Sequence, residues 1–326
     1  MTAWLVRRVA AALATVLVVL TIVFAAIHLA PGTPFMPRGD RPPLDSATVA
    51  RLQAAYGLDR PLTVQYARYL GGLAHGELGQ SFSQRRPVAA MLGDAIPNTL
   101  LLATTALAIE MLLGVLIGAL QAVRAGRKSD VVLTHVTLFF FSLPTFWLGL
   151  VLLLVFGERL HWLPIGGVVD PILYESSGSA ARVLDRVRHL MLPALTLGLV
   201  GAAGTARFQR PAMIEALGQD WMRTARAKGI TRWQAVTRHA LRNALLPSIT
   251  LLGLALPFLL TGAVVVESVF GWPGMGKLAA EAIATRDYPV VAAATLLASV
   301  LVVAGSLLAD MLYVTADPRA RAAGRL

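Results

Sequence analysis

The chain has 326 residues, 56% of them hydrophobic and 14% charged, with no cysteine and a formal net charge of +11. A mean hydropathy of +0.66 is far from that of water-soluble domains and points to a polytopic membrane protein. The missing cysteines exclude disulfides and thiolate metal sites, and the positive excess is read below as a topology signal rather than a nucleic-acid patch.

Arg7 and Arg8 precede an apolar run, Val9–Ala30, in which His28 is the only titratable side chain. A cleaved signal peptide has a shorter apolar core of about 7–15 residues, so an uncleaved first span is expected. Further charge-poor runs follow at Asn98–Val123, Val131–Gly157, Leu190–Ala206, Ala244–Val266 and Tyr288–Ala309. Each is long enough to cross a hydrocarbon core of about 30 Å as a helix. Six spans put both termini on one side. The loops on that side hold 16 basic and 5 acidic residues, against 13 and 12 on the other. The positive-inside rule therefore makes the termini cytoplasmic.

The segment between the first two runs, residues 31–97, is long and falls on the external side. Its piece Ser46–Tyr56 is amphipathic, and glycine-rich turns follow, which predicts a small helical cap. In the third run, Pro144 removes a backbone donor and is expected to kink the helix. Glu110, midway along the second run, and Glu267, at the outer end of the fifth, are ionisable groups at or near membrane depth, where desolvation is costly. Glu110 is a candidate for the translocation path, with helix packing as the alternative. For Glu267 a structural bond to the following glycine-rich turn is favoured. Gly114 and Gly118 form a G-x-x-x-G that suits close helix packing within the chain.

Between the fourth and fifth runs lies a basic amphipathic stretch carrying Arg223, Arg226, Lys228, Arg232, Arg238 and Arg242. Its pattern predicts a helix over 211–228, a stop at Gly229, and a second helix from the cap Thr231 to about Leu245. A basic helix-turn-helix could read DNA, but a stretch trapped between membrane spans is poorly placed for that. One further pattern misleads: Gly271–Lys277 satisfies the opening of G-x-x-x-x-G-K-[ST], yet Leu278 has no hydroxyl for a metal, and the segment falls on the external face.

Several of these segments resemble the permease subunits of ABC importers, in particular the dipeptide/oligopeptide/nickel branch. Asp220-Trp221-Met222-Arg223-Thr224-Ala225-Arg226-Ala227-Lys228-Gly229 and His239-Ala240-Leu241-Arg242-Asn243-Ala244-Leu245-Leu246-Pro247 resemble the branch's cytoplasmic EAA loop, with Trp221 where Tyr is usual. Tyr56-Gly57-Leu58-Asp59-Arg60-Pro61-Leu62 and Gly76-Glu77-Leu78-Gly79-Gln80-Ser81 resemble its external series, with Glu77 for the usual Asp. Ser142 to Gly149, Val266 to Gly276, Asp310 to Tyr313 and Asp317-Pro318-Arg319 are similar to further branch motifs.

The resemblance implies an all-α integral membrane fold, the type I ABC importer permease with six transmembrane helices. It divides the chain into a first helix and external cap (1–97), a five-helix core (98–313) with the coupling loop 211–245, and a cytoplasmic tail (314–326). It implies coupling residues Glu215, Asp220, Arg223, Thr224, Ala225, Arg226, Ala227, Gly229, His239, Leu241, Arg242 and Asn243; Glu110, Pro144 and Glu267 stand as path candidates by their place in the spans. Implied partners are a second homologous permease, two cytoplasmic ATPase subunits that carry ATP and magnesium, an extracytoplasmic binding protein and membrane lipid, with no nucleic acid. No cofactor and no catalysis are expected on this chain. Its localisation would be the bacterial cytoplasmic membrane and its cargo di- or oligopeptides, with nickel or another small ligand as the alternative. A membrane enzyme lacks a catalytic constellation here, and a secondary transporter would be expected to show inverted repeats.

Overall fold

The computed structural model describes residues 2–29, 34–35, 45–249 and 263–316, the side chains of residues 2–5, 173, 175, 226 and 308–316 excepted. Among these residues the regular structure is helical, apart from one isolated bridge between Gln80 and Pro87. Two compact units emerge: residues 1–97 with 278–300, and residues 98–277 with 301–326.

In the first unit, α1 (Thr2–Leu29) is an unbroken apolar helix, and among its described side chains Leu20 is the one buried hydrophobic residue. The predicted cap contains two helices, α2 (Ser46–Ala55) and α3 (Leu62–Ala74). Asp45 starts α2 by accepting the Thr48 amide, a bond that also holds its carboxyl below the usual carboxylate range. Thr21 bonds Tyr66, and Phe24 packs on Tyr66 and Tyr69, so α3 lies along the last turns of α1. A separate core joins Val88, Met91 and Leu92 of α4 (Val88–Val123) to Ala282 of α12 (Met275–Thr285) and Val290 of α13 (Tyr288–Ala316).

Asp287, 1% exposed, organises the turn between α12 and α13. Its carboxylate accepts from the hydroxyls of Ser81 and Ser83 and from the amides of Phe82 and Ser83. Four donors on one buried carboxylate replace the water it loses. This fastens the loop after the cap to the start of α13.

In the second unit, α4 and α8 (Ser179–Gly218) meet along a seam of small residues. A Cβ on Gly114 would come 2.6 Å from Thr205 Cβ, and one on Gly118 would come 2.7 Å from Gln209 Cβ. Facing them, Gly198 on α8 lies against Ala106 and Ile109. The Gly114/Gly118 pair thus serves packing within the chain, since only a missing side chain allows this approach. α8 carries Pro193 and Pro211 without stopping, and α4 likewise carries Pro97.

Pro144 acts differently. α5 (Lys128–Ser142) ends, Leu143 and Pro144 are both extended with ψ of 133° and 129°, and α6 (Thr145–Leu152) restarts at 102° to α5. The expected kink is a full break, because the residue before a proline is sterically driven out of the helical region. A π-helical turn, Leu153–Arg159, continues α6, and the short α7 (Pro171–Ser176) precedes α8.

Four single helices have the length and apolarity to cross a bilayer: Val6–Leu29, Val88–Val123, Ser179–Gly218 and Tyr288–Leu307. The α5–α6 pair raises this to as many as five among the described residues, against the six expected. Residues 250–262 of the predicted fifth span and the Asp317-Pro318-Arg319 motif lie outside the described residues.

Candidate coupling surface and translocation path

The basic stretch departs from its predicted form in one respect. The helix expected over 211–228 stops at Gly218, Gln219 is extended with ψ of 148°, and α9 (Asp220–Ala227) begins in a new direction. Gly218 supplies the weak point, having the lowest helix propensity after proline. Gly229 then ends α9 with φ of +81°. The Ile230 amide bonds the Ala225 carbonyl across it at 3.3 Å, the six-to-one bond of a glycine-terminated helix. Thr231 caps the next element through the Gln234 amide. That element is α10 (Arg232–Gln234), a π-turn (Ala235–Ala240) and α11 (Leu241–Ala244), rather than one regular helix.

This helix-turn-helix has two unlike sides. Met222 of α9 packs with Ala235, Val236, Ala240 and Ala244 against Met213 and Ala216 of α8, and Ala225 of α9 is buried as well. The opposite side exposes Arg223, Thr224, Ala227, Lys228, Arg238, Arg242 and Asn243, while Glu215 and Asp220 are exposed beside it and His239 and Leu241 are half-buried. Arg223 and Asp220 lie 3.8 Å apart in full solvent, a pair of little energetic weight. Trp233 is 74% exposed. A large aromatic ring held in water on a fixed scaffold is the kind of group that anchors interfaces. In the sequence it is just one position of the second helix of the basic stretch. The side chain of Arg226 lies outside the described residues.

Beneath this surface, Asp130 at the start of α5 binds the Arg210 guanidinium of α8 through two bonds of 3.0 and 2.8 Å and also accepts the Gly126 amide. Neither residue stood out in the sequence. The available signal was an acid flanking one apolar run and a base flanking another.

The path candidates separate. Glu110 of α4 accepts the Thr205 hydroxyl of α8 at 3.0 Å and abuts Gly201, so it sits on the α4–α8 seam. Pro144 occupies the α5–α6 break. Glu267 is fully buried and accepts from the Thr99 hydroxyl at 2.8 Å and the Lys277 amide at 2.9 Å. It lies against Gly274, in the turn where Trp272 is buried and its Nε1 donates to the Asn98 carbonyl. Glu267 therefore closes the glycine-rich turn. Among the described residues no three metal-ligating side chains come together.

Residues 114–322 match the family of binding-protein-dependent transport system inner membrane components, and residues 1–103 match the N-terminal part of such components. The chain is 38% identical over 320 residues to the oligopeptide transport system permease protein AppB of Bacillus subtilis, covering 98% of this chain and 99% of that one. It is 39% identical over 340 residues to the di/tripeptide transport system permease protein DppB of Pseudomonas aeruginosa, with the same coverage. A crystal structure of an amino acid ABC transporter superposes with a TM-score of 0.51 at 18% identity, covering 69% of this chain and 94% of that one. That likeness concerns the fold alone. The chain belongs to the family of inner-membrane permease components of binding-protein-dependent transport systems.

Proposed function

We propose that this chain is the translocation subunit of an ATP-driven importer of di- and oligopeptides, with six spans and both termini in the cytoplasm. The peptide assignment rests on the relatives named for oligopeptide and di/tripeptide transport. The observation that carries the coupling role is the two-sided helix-turn-helix around Gly229: apolar on α8, basic and aromatic toward solvent. Such a rigid exposed element on the cytoplasmic side suits docking into a groove of an ATPase partner. Closure of two ATPases on ATP would then push on residues 220–243, and α8, which carries the surface, would pass the displacement into the membrane. A second permease would complete the path, and an extracytoplasmic binding protein would deliver the peptide over the 31–97 cap.

Within this reading the α5–α6 break at Pro144 is the hinge of the path, Glu110 meets the cargo's ammonium group from the α4–α8 seam, and Glu267 holds the outer turn. The test is co-purification of the tagged chain in mild detergent, followed by ATPase assay with peptide-loaded binding protein. Two ATPases and a second permease with peptide-stimulated hydrolysis are expected. An assembled complex stimulated by nickel and not by peptide would reassign the cargo. A chain that transports alone without ATP would overturn the reading.

A further inference from the structure

The first unit encloses a cavity of about 270 Å³ between the end of α1, the cap and the start of α13. Its walls are the rings of Phe24, Tyr56, Tyr69, Phe82 and Tyr288. An apolar cavity of about 150 Å³ accommodates a benzene ring, so this one has room for several carbons of a chain. Two of its lining side chains are charged. Arg68 lines it with Nη1 pressed toward Gly57, where a Cβ would come within 3.1 Å, and Glu77 is the sole acidic lining residue.

His28 lines the same cavity. Its Nδ1 lies 2.8 Å from the Phe24 carbonyl and its Nε2 lies 3.0 Å from Gln65 Oε1. The Gln65 amide nitrogen donates to the carbonyls of Leu58 and Arg60, which fixes the oxygen as the atom facing His28. Both ring nitrogens thus sit against oxygen atoms of the cap and of α1 itself. Among the described residues neither His28 nor Arg68 has a carboxylate at ion-pair distance.

The Tyr69 hydroxyl is the remaining clue. It is buried and bonds nothing among the described residues. Burial, and then the neighbouring Tyr66, push its pKa up to about 12, so it stays a protonated donor. A buried donor without an acceptor is costly unless something fills the place. The wall helix indicates what does. Among the described residues α1 is the least buried of the candidate spans, with 6% of its apolar window covered, and its Phe24, Ile27 and His28 line the cavity.

We infer that this cavity is a phospholipid site: an acyl chain enters between the aromatic rings, and the headgroup phosphate accepts from the Tyr69 hydroxyl and the Arg68 guanidinium. A phosphate supplies the acceptor that Tyr69 lacks and a negative charge for Arg68, while the apolar walls take the tail. The bound lipid would tie α3 to the end of α1 at the membrane interface.

The test uses the full importer complex, purified in mild detergent after exchange into nanodiscs of phosphatidylethanolamine and phosphatidylglycerol, with retained lipid read by native mass spectrometry. One phospholipid per copy of this chain is expected on the wild type. Tyr69→Phe and Arg68→Ala should each weaken retention about tenfold, the usual scale of one hydrogen bond to a charged group. Ala292→Leu narrows the cavity and should expel the tail with both donors intact. If that variant fails to assemble, Tyr69→Phe, which removes a single oxygen, still decides. A wild type without retained lipid, or equal retention in Tyr69→Phe and Arg68→Ala, overturns the assignment. Saturable displacement of the lipid by tri-leucine would make the cavity a peptide subsite and overturn it as well.

Discussion

Asp130 and Arg210 form a two-pronged ion pair in which the carboxylate is 3% exposed and the guanidinium is about one-third exposed. The pair joins the first turn of α5 to α8 just before α8 ends at Gly218 and the basic surface begins. Removing one partner strands the other in a poorly hydrated place. Asp130→Asn should therefore cost about 1–3 kcal/mol, less than for a wholly buried pair because Arg210 reaches solvent. Thermal unfolding in detergent should register this loss, and Arg210→Lys, which keeps the charge but not the fork, should fall between.

Gly229 is the second point of control. At φ of +81° any side chain is strained by about 1–2 kcal/mol, and proline cannot adopt that angle at all. Gly229→Pro and Gly229→Asp should abolish peptide uptake and ATPase recruitment while the chain still reaches the membrane. Gly229→Asn, which tolerates the left-handed region better, should retain part of both. Wild-type uptake by Gly229→Pro would remove the coupling role from this loop.

The α4–α8 seam makes an opposite pair of expectations within one helix. Gly118→Val places atoms where Gln209 Cβ and the Ala206 carbonyl already are, and should destabilise by about 1–3 kcal/mol or prevent assembly. Gly93→Ala on the same helix meets nothing within 4 Å and should stabilise by about 0.5–1 kcal/mol. Comparing the melting temperatures of the two variants distinguishes close packing from mere helix propensity.

Glu267 separates charge from bonding. Glu267→Gln keeps one oxygen for Thr99 or Lys277 and should be tolerated with a modest loss. Glu267→Ala leaves both donors unmet and a void beside Gly274, which costs about 1–3 kcal/mol for each unsatisfied group. Proteolysis at the 270–277 turn should rise in the alanine variant. Equal behaviour of the two would mean that the carboxylate does not hold the turn.

Much of the local architecture was legible because its causes are local. The apolar runs follow from composition, the Gly229 stop from one residue's dihedral freedom, and the first cap helix from the amphipathic piece Ser46–Tyr56. What escaped was tertiary. The Asp130–Arg210 pair spans 80 positions, and the bonds from Asp287 to Ser81, Phe82 and Ser83 span more than 200. No periodicity within a window reports such partners. The stop at Gln219 was hidden because a single glycine, Gly218, does not by itself end a helix, and Met213 and Met222 gain burial only if the chain turns between them. Pro144 was recognised as a disturbance, but its size depends on Leu143 as well, since both residues adopt extended backbone.

That double extension leaves backbone dipoles to be accounted for. α6 begins anew at Thr145, and its first internal bond is donated by Leu148 to the Pro144 carbonyl. The amides of Thr145, Phe146 and Trp147 therefore have no acceptor within their own helix. Hydrocarbon offers none, and each would be left several kcal/mol short in lipid. Where α5 gives way to α6, the chain must face water or another protein surface, so the break marks a hydrated or subunit-covered side within an otherwise greasy span.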